Sequence, residues 1–201
     1  MLSKSFIRID FPATIIPMKK IEVPLARANR LINHGCVILV TSRYKDKRNI
    51  ITLAWQTPVS HKPKLVAICI YKKHFSHMLI MKSKEFAINV PSRSHIDAVH
   101  YCGSVSGRKI DKFNKTGFTE LEAKYLRAPL IKECIAHLEC RVKGVYSAGD
   151  HSIFLGEVLR AAADEGVFDG RFLRLDNPRA QTLHHLGENL YMVSGQVIQA
   201  V

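Results

Sequence analysis

The chain has 201 residues, 47% apolar and 23% charged, the composition of one globular domain and not of a disordered, collagenous or coiled-coil chain. Thirty lysines and arginines against 17 aspartates and glutamates leave a net charge of +13, which favours an anionic partner: nucleic acid, an acidic membrane surface or a small phosphorylated molecule. Five cysteines (Cys36, Cys69, Cys102, Cys134, Cys140), odd in number and never spaced C-x-x-C, argue against a disulfide framework or zinc ribbon and for a reducing, cytoplasmic setting.

Residues 1–17 read as an apolar-basic extension ending at Pro17, expected to be poorly ordered or to precede the natural start at Met18, with a single domain over 18–201. Residues 24–32 carry Leu25, Ala28, Leu31 and Ile32 at helical spacing, which predicts a short amphipathic helix. An apolar run over 36–40, a polar loop over 43–49 and a second apolar run over 50–56 predict strand, loop, strand. A strand over 64–71 behind Pro63, a short helix over 73–83 and a strand over 85–90 stopped by Pro91 follow. Residues 96–101 predict a helix, and 103–113 a basic, glycine-containing loop entering another. Two long β-rich stretches, 131–146 and 151–162, flank Ser147-Ala148-Gly149-Asp150 and predict a hairpin, with one or two short strands over 183–193. Six or seven strands without regular βα alternation point to a mainly β fold, an antiparallel barrel with peripheral helices.

The motif Gly103-Ser104-Val105-Ser106-Gly107-Arg108 suits a phosphate cradle, but it lacks Walker spacing, G-x-G-x-x-G is absent, and a helix-capping loop explains it equally well. Ten histidines, among them His74 with His77, His100 near Cys102, and His184 with His185, form no local ligand set, so no metal is expected. G-x-S-x-G is missing. The basic residues are scattered in twos and threes, as at Lys72-Lys73, which disfavours nucleic acid, and no apolar run approaches a membrane span.

Five segments in order, NIITLAWQTPVS (49–60), EFAINVP (85–91), CGSVSGRKIDKF (102–113), APLIKECIAHLECRV (128–142) and GDHSIFLGEV (149–158), resemble the flavin reductase-like, FMN-binding split-barrel family, over nearly the whole chain from about Met18. The resemblance implies a Greek-key antiparallel split barrel, a homodimer with FMN near the subunit interface, and NAD(P)H as electron donor. It assigns phosphate and ribityl contacts to Thr41, Ser42, Lys72, Lys73, Ser76 and His77, with Ser106 and Arg108 beside them. Thr52, Leu53, Ala54 and Trp55 fall on the strand facing the flavin ring, and Thr57, Pro58, Val59 and Ser60 on the loop after it, while Asn49 and Asn89 are polar positions abutting strands. His151, in Gly149-Asp150-His151, matches a position near flavin and nicotinamide and is the catalytic candidate. Hydride passes directly from nicotinamide to flavin, so positioning and electrostatics are the protein's share. Cys36 stands where relatives often have proline. The implied function is an NAD(P)H-dependent flavin or ferric-type reductase. The alternative is a non-catalytic FMN electron carrier serving a redox protein, and a basic nucleic-acid-binding barrel is the remote one.

Overall fold

The structure is a computed structural model that describes residues 22–32, 35–174 and 176–195; the extension over 1–17 lies outside them. Its centre is a seven-stranded antiparallel sheet in the order β2-β1-β5-β8-β9-β4-β3. The strands are β1 (Ile38–Tyr44), β2 (Lys47–Leu53), β3 (Gln56–Ser60), β4 (Leu65–Tyr71), β5 (Glu85–Val90), β8 (Ala136–Ala148) and β9 (His151–Ala163). Two small ladders, β6 (Glu120–Leu121) with β7 (Leu130–Ile131) and β10 (Leu183–Gly187) with β11 (Leu190–Val193), stand apart from it. The helices are α1 (Phe75–Ser83), α2 (Ile96–Ser104) and α3 (Lys112–Thr116).

The sheet curls into a barrel because each of its strands except the edge strand β3 turns apolar side chains to a common interior. Ile38 and Val40, Ile51 and Leu53, Ile68 and Ile70, Phe86 and Ile88, and Phe154 meet in one buried cluster that Ile80 of α1 joins. The opposite face of β1 and β2 is covered too: Leu39 and Ile50 pack against Val99 and Cys102 of α2 and Phe113 of α3. Burial on both faces explains why the run over 36–40 that leads into β1 is continuously apolar instead of alternating. Consecutive strands β2 and β3 are the two edges of the sheet, and the barrel is split between them.

Several sequence expectations change in detail. The expected loop over 43–49 is a two-residue turn at Lys45-Asp46, with Tyr44 paired to Lys47 and Lys45 at φ 56°. The run over 50–56 is not one strand: it breaks at Ala54-Trp55, and Gln56 opens β3. Residues 57–60, expected as loop, are the body of that edge strand, paired with β4. Leu25–Leu31 is a 3-10 helix without a buried residue, so among the described residues its apolar side chains cover no core. The long hairpin turns on Gly149-Asp150 alone, Gly149 at φ 57° supplying the left-handed residue such a turn needs. Among the described residues no helix is long and apolar enough to cross a membrane.

Candidate flavin site

Because β2 is an edge strand, the helices above it leave an open trough along its length. Three cavities of about 210, 210 and 250 Å³ adjoin there, sharing Thr52, Ala54, His74, Gly103, Ser104 and His185. Each falls short of the roughly 300–1,000 Å³ of an ordinary ligand pocket, and together they form a continuous groove.

One end of the groove is rich in hydrogen-bond donors. It is lined by Lys73, His74 and Phe75 at the start of α1, by residues 102–107, and by Asn49 and Lys112. His74, the residue preceding α1, contributes no capping side chain, so the free amides of the first turn and the positive end of the helix remain available to an anion. Asn49 Nδ2 donates to Ser76 Oγ at 2.8 Å, while Asn49 Oδ1 is buried without a partner. Gly107 lies so close that a β-carbon on it would fall 1.9 Å from that oxygen. Lys112, only 4% exposed, donates to the carbonyl oxygens of Ile50 (2.7 Å) and Cys102 (2.6 Å), leaving a third ammonium proton unassigned. Burial lowers its pKa to about 8, and the neighbouring Cys102 thiol offsets part of that shift.

The other end is aromatic. Trp55 and His151 pack with ring centres 5.0 Å apart and planes tilted by 34°, and the Tyr71 ring centre lies 5.5 Å from that of His151 and 5.4 Å from that of His74. His151 Nδ1 is held at 2.6 Å by Asp150 Oδ1, and this hydrogen bond keeps Asp150 below the usual carboxylate range. His74 is shifted down, first by burial and then by the charges of Lys112, His151 and His77. A third arm opens beside Thr52 and Ala54 under the β10-β11 hairpin, lined by Val37, His100, His185, Glu188 and Tyr191.

Of the residues singled out in the sequence, Asn49, Thr52, Leu53, Ala54, Trp55, Lys73, Ser106 and His151 line this groove. Arg108 buttresses it: its guanidinium sits 5.2 Å over the Phe75 ring and Nη2 donates to the Lys73 carbonyl oxygen. Ser76 stands behind Asn49. The remaining residues do not line the groove. Lys72 Nζ is bound to Ser147 Oγ and the Gly149 carbonyl oxygen, clamping the β8-β9 turn. His77 Nε2 meets Ser152 Oγ at 2.9 Å with its ring edge-on to Phe154. Thr41 Oγ1 donates to the Pro129 carbonyl oxygen, and Ser42 is fully buried in the same inner strand. Asn89 bridges the Leu39 carbonyl oxygen and the Ile131 amide. Thr57, Pro58, Val59 and Ser60 lie along β3, outside the groove. Lys112 was missed, since a lysine between aspartate and phenylalanine reads as solvated until its carbonyl partners are seen.

The family model described as "Flavin reductase like domain" matches residues 30–184. The chain belongs to the flavin reductase-like family. It is 38% identical over 185 residues to the uncharacterized Escherichia coli K12 protein YddH, covering 90% of this chain and 97% of that one. It is 36% identical over 124 residues to an NADH-dependent FAD reductase of Streptomyces globisporus, covering 59% of this chain and 67% of that one. The fold matches flavoredoxin of Methanosarcina acetivorans with a TM-score of 0.80 at 27% identity, over 91% and 95% of the two chains. A groove with a donor-rich end and an aromatic end on a flavin reductase-like barrel fits an elongated flavin nucleotide: the unpartnered Asn49 oxygen, the spare Lys112 proton and the uncapped helix are groups that such a ligand could satisfy.

Proposed function

We propose that the groove binds FMN and that the protein is an NAD(P)H-dependent flavin reductase. The observation that carries this reading is the polarity of the groove. Lys73, Ser106 and the start of α1 suit a phosphate of nearly two negative charges, and the opposite end carries Trp55, Tyr71 and His151 for a flat ring. A bound flavin supplies a two-electron acceptor for hydride. The chain's own residues fix its phosphate, wall its ring with Trp55, and place His151, oriented by Asp150, beside the reacting face.

Purified protein titrated with FMN should quench flavin fluorescence with a saturable, unit stoichiometry, and anaerobic NADH or NADPH should bleach the bound flavin. Failure to bind FMN or FAD overturns the reading. Binding without bleaching by either nucleotide would favour the second reading, an electron carrier for a redox protein, which the likeness to flavoredoxin supports. We also propose a homodimer, in which the exposed edge strand β3 and its Thr57, Pro58, Val59 and Ser60 face the second copy and its flavin. Sedimentation as a monomer at micromolar concentration would refute it.

A further inference from the structure

We propose that the third arm of the groove receives the adenosine ribose of the nicotinamide donor and that Glu188 selects NADH over NADPH. This rests on the flavin reading above. An elongated mononucleotide has two ends, which the donor-rich and aromatic cavities accommodate, and the third arm is then surplus to it. The arm opens from Thr52 and Ala54 at the middle of the groove, so a group seated there lies beside the bound ligand.

Its chemistry differs from that of the phosphate end. Among the described residues no lysine or arginine lines the arm; its polar wall includes two imidazoles, a phenol and a carboxylate. Tyr191 ties the wall together, its hydroxyl 3.3 Å from His100 Nδ1 and its ring 5.0 Å from that of His185. His185 Nε2 donates to the Glu188 carbonyl oxygen at 3.0 Å, and Glu188 sits in a left-handed turn at φ 54°, so the hairpin fixes the backbone from which this carboxylate projects. Arg30, the cation that touches the hairpin, gives Nη1 to the Leu186 carbonyl oxygen and lines the aromatic end instead.

A carboxylate lining the arm accepts hydrogen bonds from the free hydroxyls of the adenosine ribose, whereas a 2′-phosphate there needs a cation in its place. The arm therefore admits NADH by attraction and rejects NADPH by like charge, the repulsive element that selectivity commonly requires.

The test compares wild type, Glu188→Gln and Glu188→Lys by two readouts. Flavin-free protein is titrated calorimetrically with NAD+ and NADP+, and flavin-loaded protein is assayed for kcat/KM with NADH and NADPH. Wild type should favour the unphosphorylated nucleotide at least tenfold in both. Glu188→Gln should narrow the preference severalfold, and Glu188→Lys should bring it to parity or reverse it, mainly through Kd and KM for the phosphorylated nucleotide. A wild-type preference for NADPH, or a ratio unmoved in Glu188→Lys, overturns the proposal while leaving the flavin reading intact. A flavin Kd that moves by the same factor as the nicotinamide ratio also overturns it, because Glu188 would then shape the whole groove. Bound flavin that neither nucleotide reduces overturns the reductase reading, and this one with it.

Discussion

Asp150 Oδ1 lies 2.6 Å from His151 Nδ1, at the two-residue turn of the β8-β9 hairpin. A carboxylate only accepts, so Nδ1 carries the proton of this hydrogen bond, which orients a ring packed 5.0 Å from that of Trp55. His151→Ala should slow reduction of bound flavin at least tenfold in stopped-flow measurements. Asp150→Asn, which weakens the charge but keeps a hydrogen-bonding group, should give a smaller loss in the same direction. Equal rates in wild type and His151→Ala would remove the histidine from the mechanism.

Lys73, an exposed cation, lines the donor-rich end beside the start of α1, an arrangement that would suit a phosphate. Lys73→Ala should weaken FMN binding about tenfold, roughly the 1.4 kcal/mol of one charge-assisted contact, and leave riboflavin affinity nearly unchanged. Fluorescence titrations with the two flavins check this. Raising salt should reduce the FMN affinity of wild type more than that of the variant.

Gly107 is held against Asn49 at a distance that leaves no room for a methyl group. Gly107→Ala should push the Asn49 side chain from Ser76 Oγ, to which it donates at 2.8 Å, and so disturb a buried polar pair facing the groove. A drop in Tm of several degrees with at least tenfold weaker FMN binding is expected, since a broken buried hydrogen bond costs about 1–3 kcal/mol. A variant with wild-type Tm and affinity would show that the loop yields freely.

Lys112 titrates near pH 8 in the folded chain, against 10.5 for an ordinary lysine, because burial penalises its charge. Between these values the unfolded chain keeps a proton that the folded chain has released, so this group's contribution to stability rises with pH across that window. The full rise is about 3 kcal/mol. Thiols act in the opposite sense: desolvation pushes the partly buried Cys36 and the buried Cys102 up to about 11 and the buried Cys140 up to about 12, so they lose protons first when unfolded. The difference between wild type and Lys112→Met isolates the lysine. Urea unfolding at pH 7 and pH 10 should show wild type gaining on the variant as pH rises, and a constant difference would contradict the buried charge.

The strands were legible in the sequence where the signal was local. Apolar runs bounded by Pro63 and Pro91 located β4 and β5, and the Gly149-Asp150 turn announced the hairpin with His151 at its base. Five motifs in order carried the family. Periodicity could not show that Ala54-Trp55 is a corner between two sheet edges, because that depends on β3 pairing with β4 and not on the residues themselves.

For the site, residue type suggested the ligand class, and long-range contacts decided which residues line the groove. Thr41 and Asn89 have the hydroxyl and amide that a nucleotide contact needs, yet the sheet commits them to the carbonyl oxygens of Pro129 and Leu39. Lys112 looks like one more solvated charge, and becomes a buried donor only when α3 brings it against the carbonyls of Ile50 and Cys102. The surplus of +13 favoured an anionic partner from the start. Only the tertiary structure determined which cations converge on one groove, since convergence is set by packing between segments far apart in the chain, and composition contains no record of it.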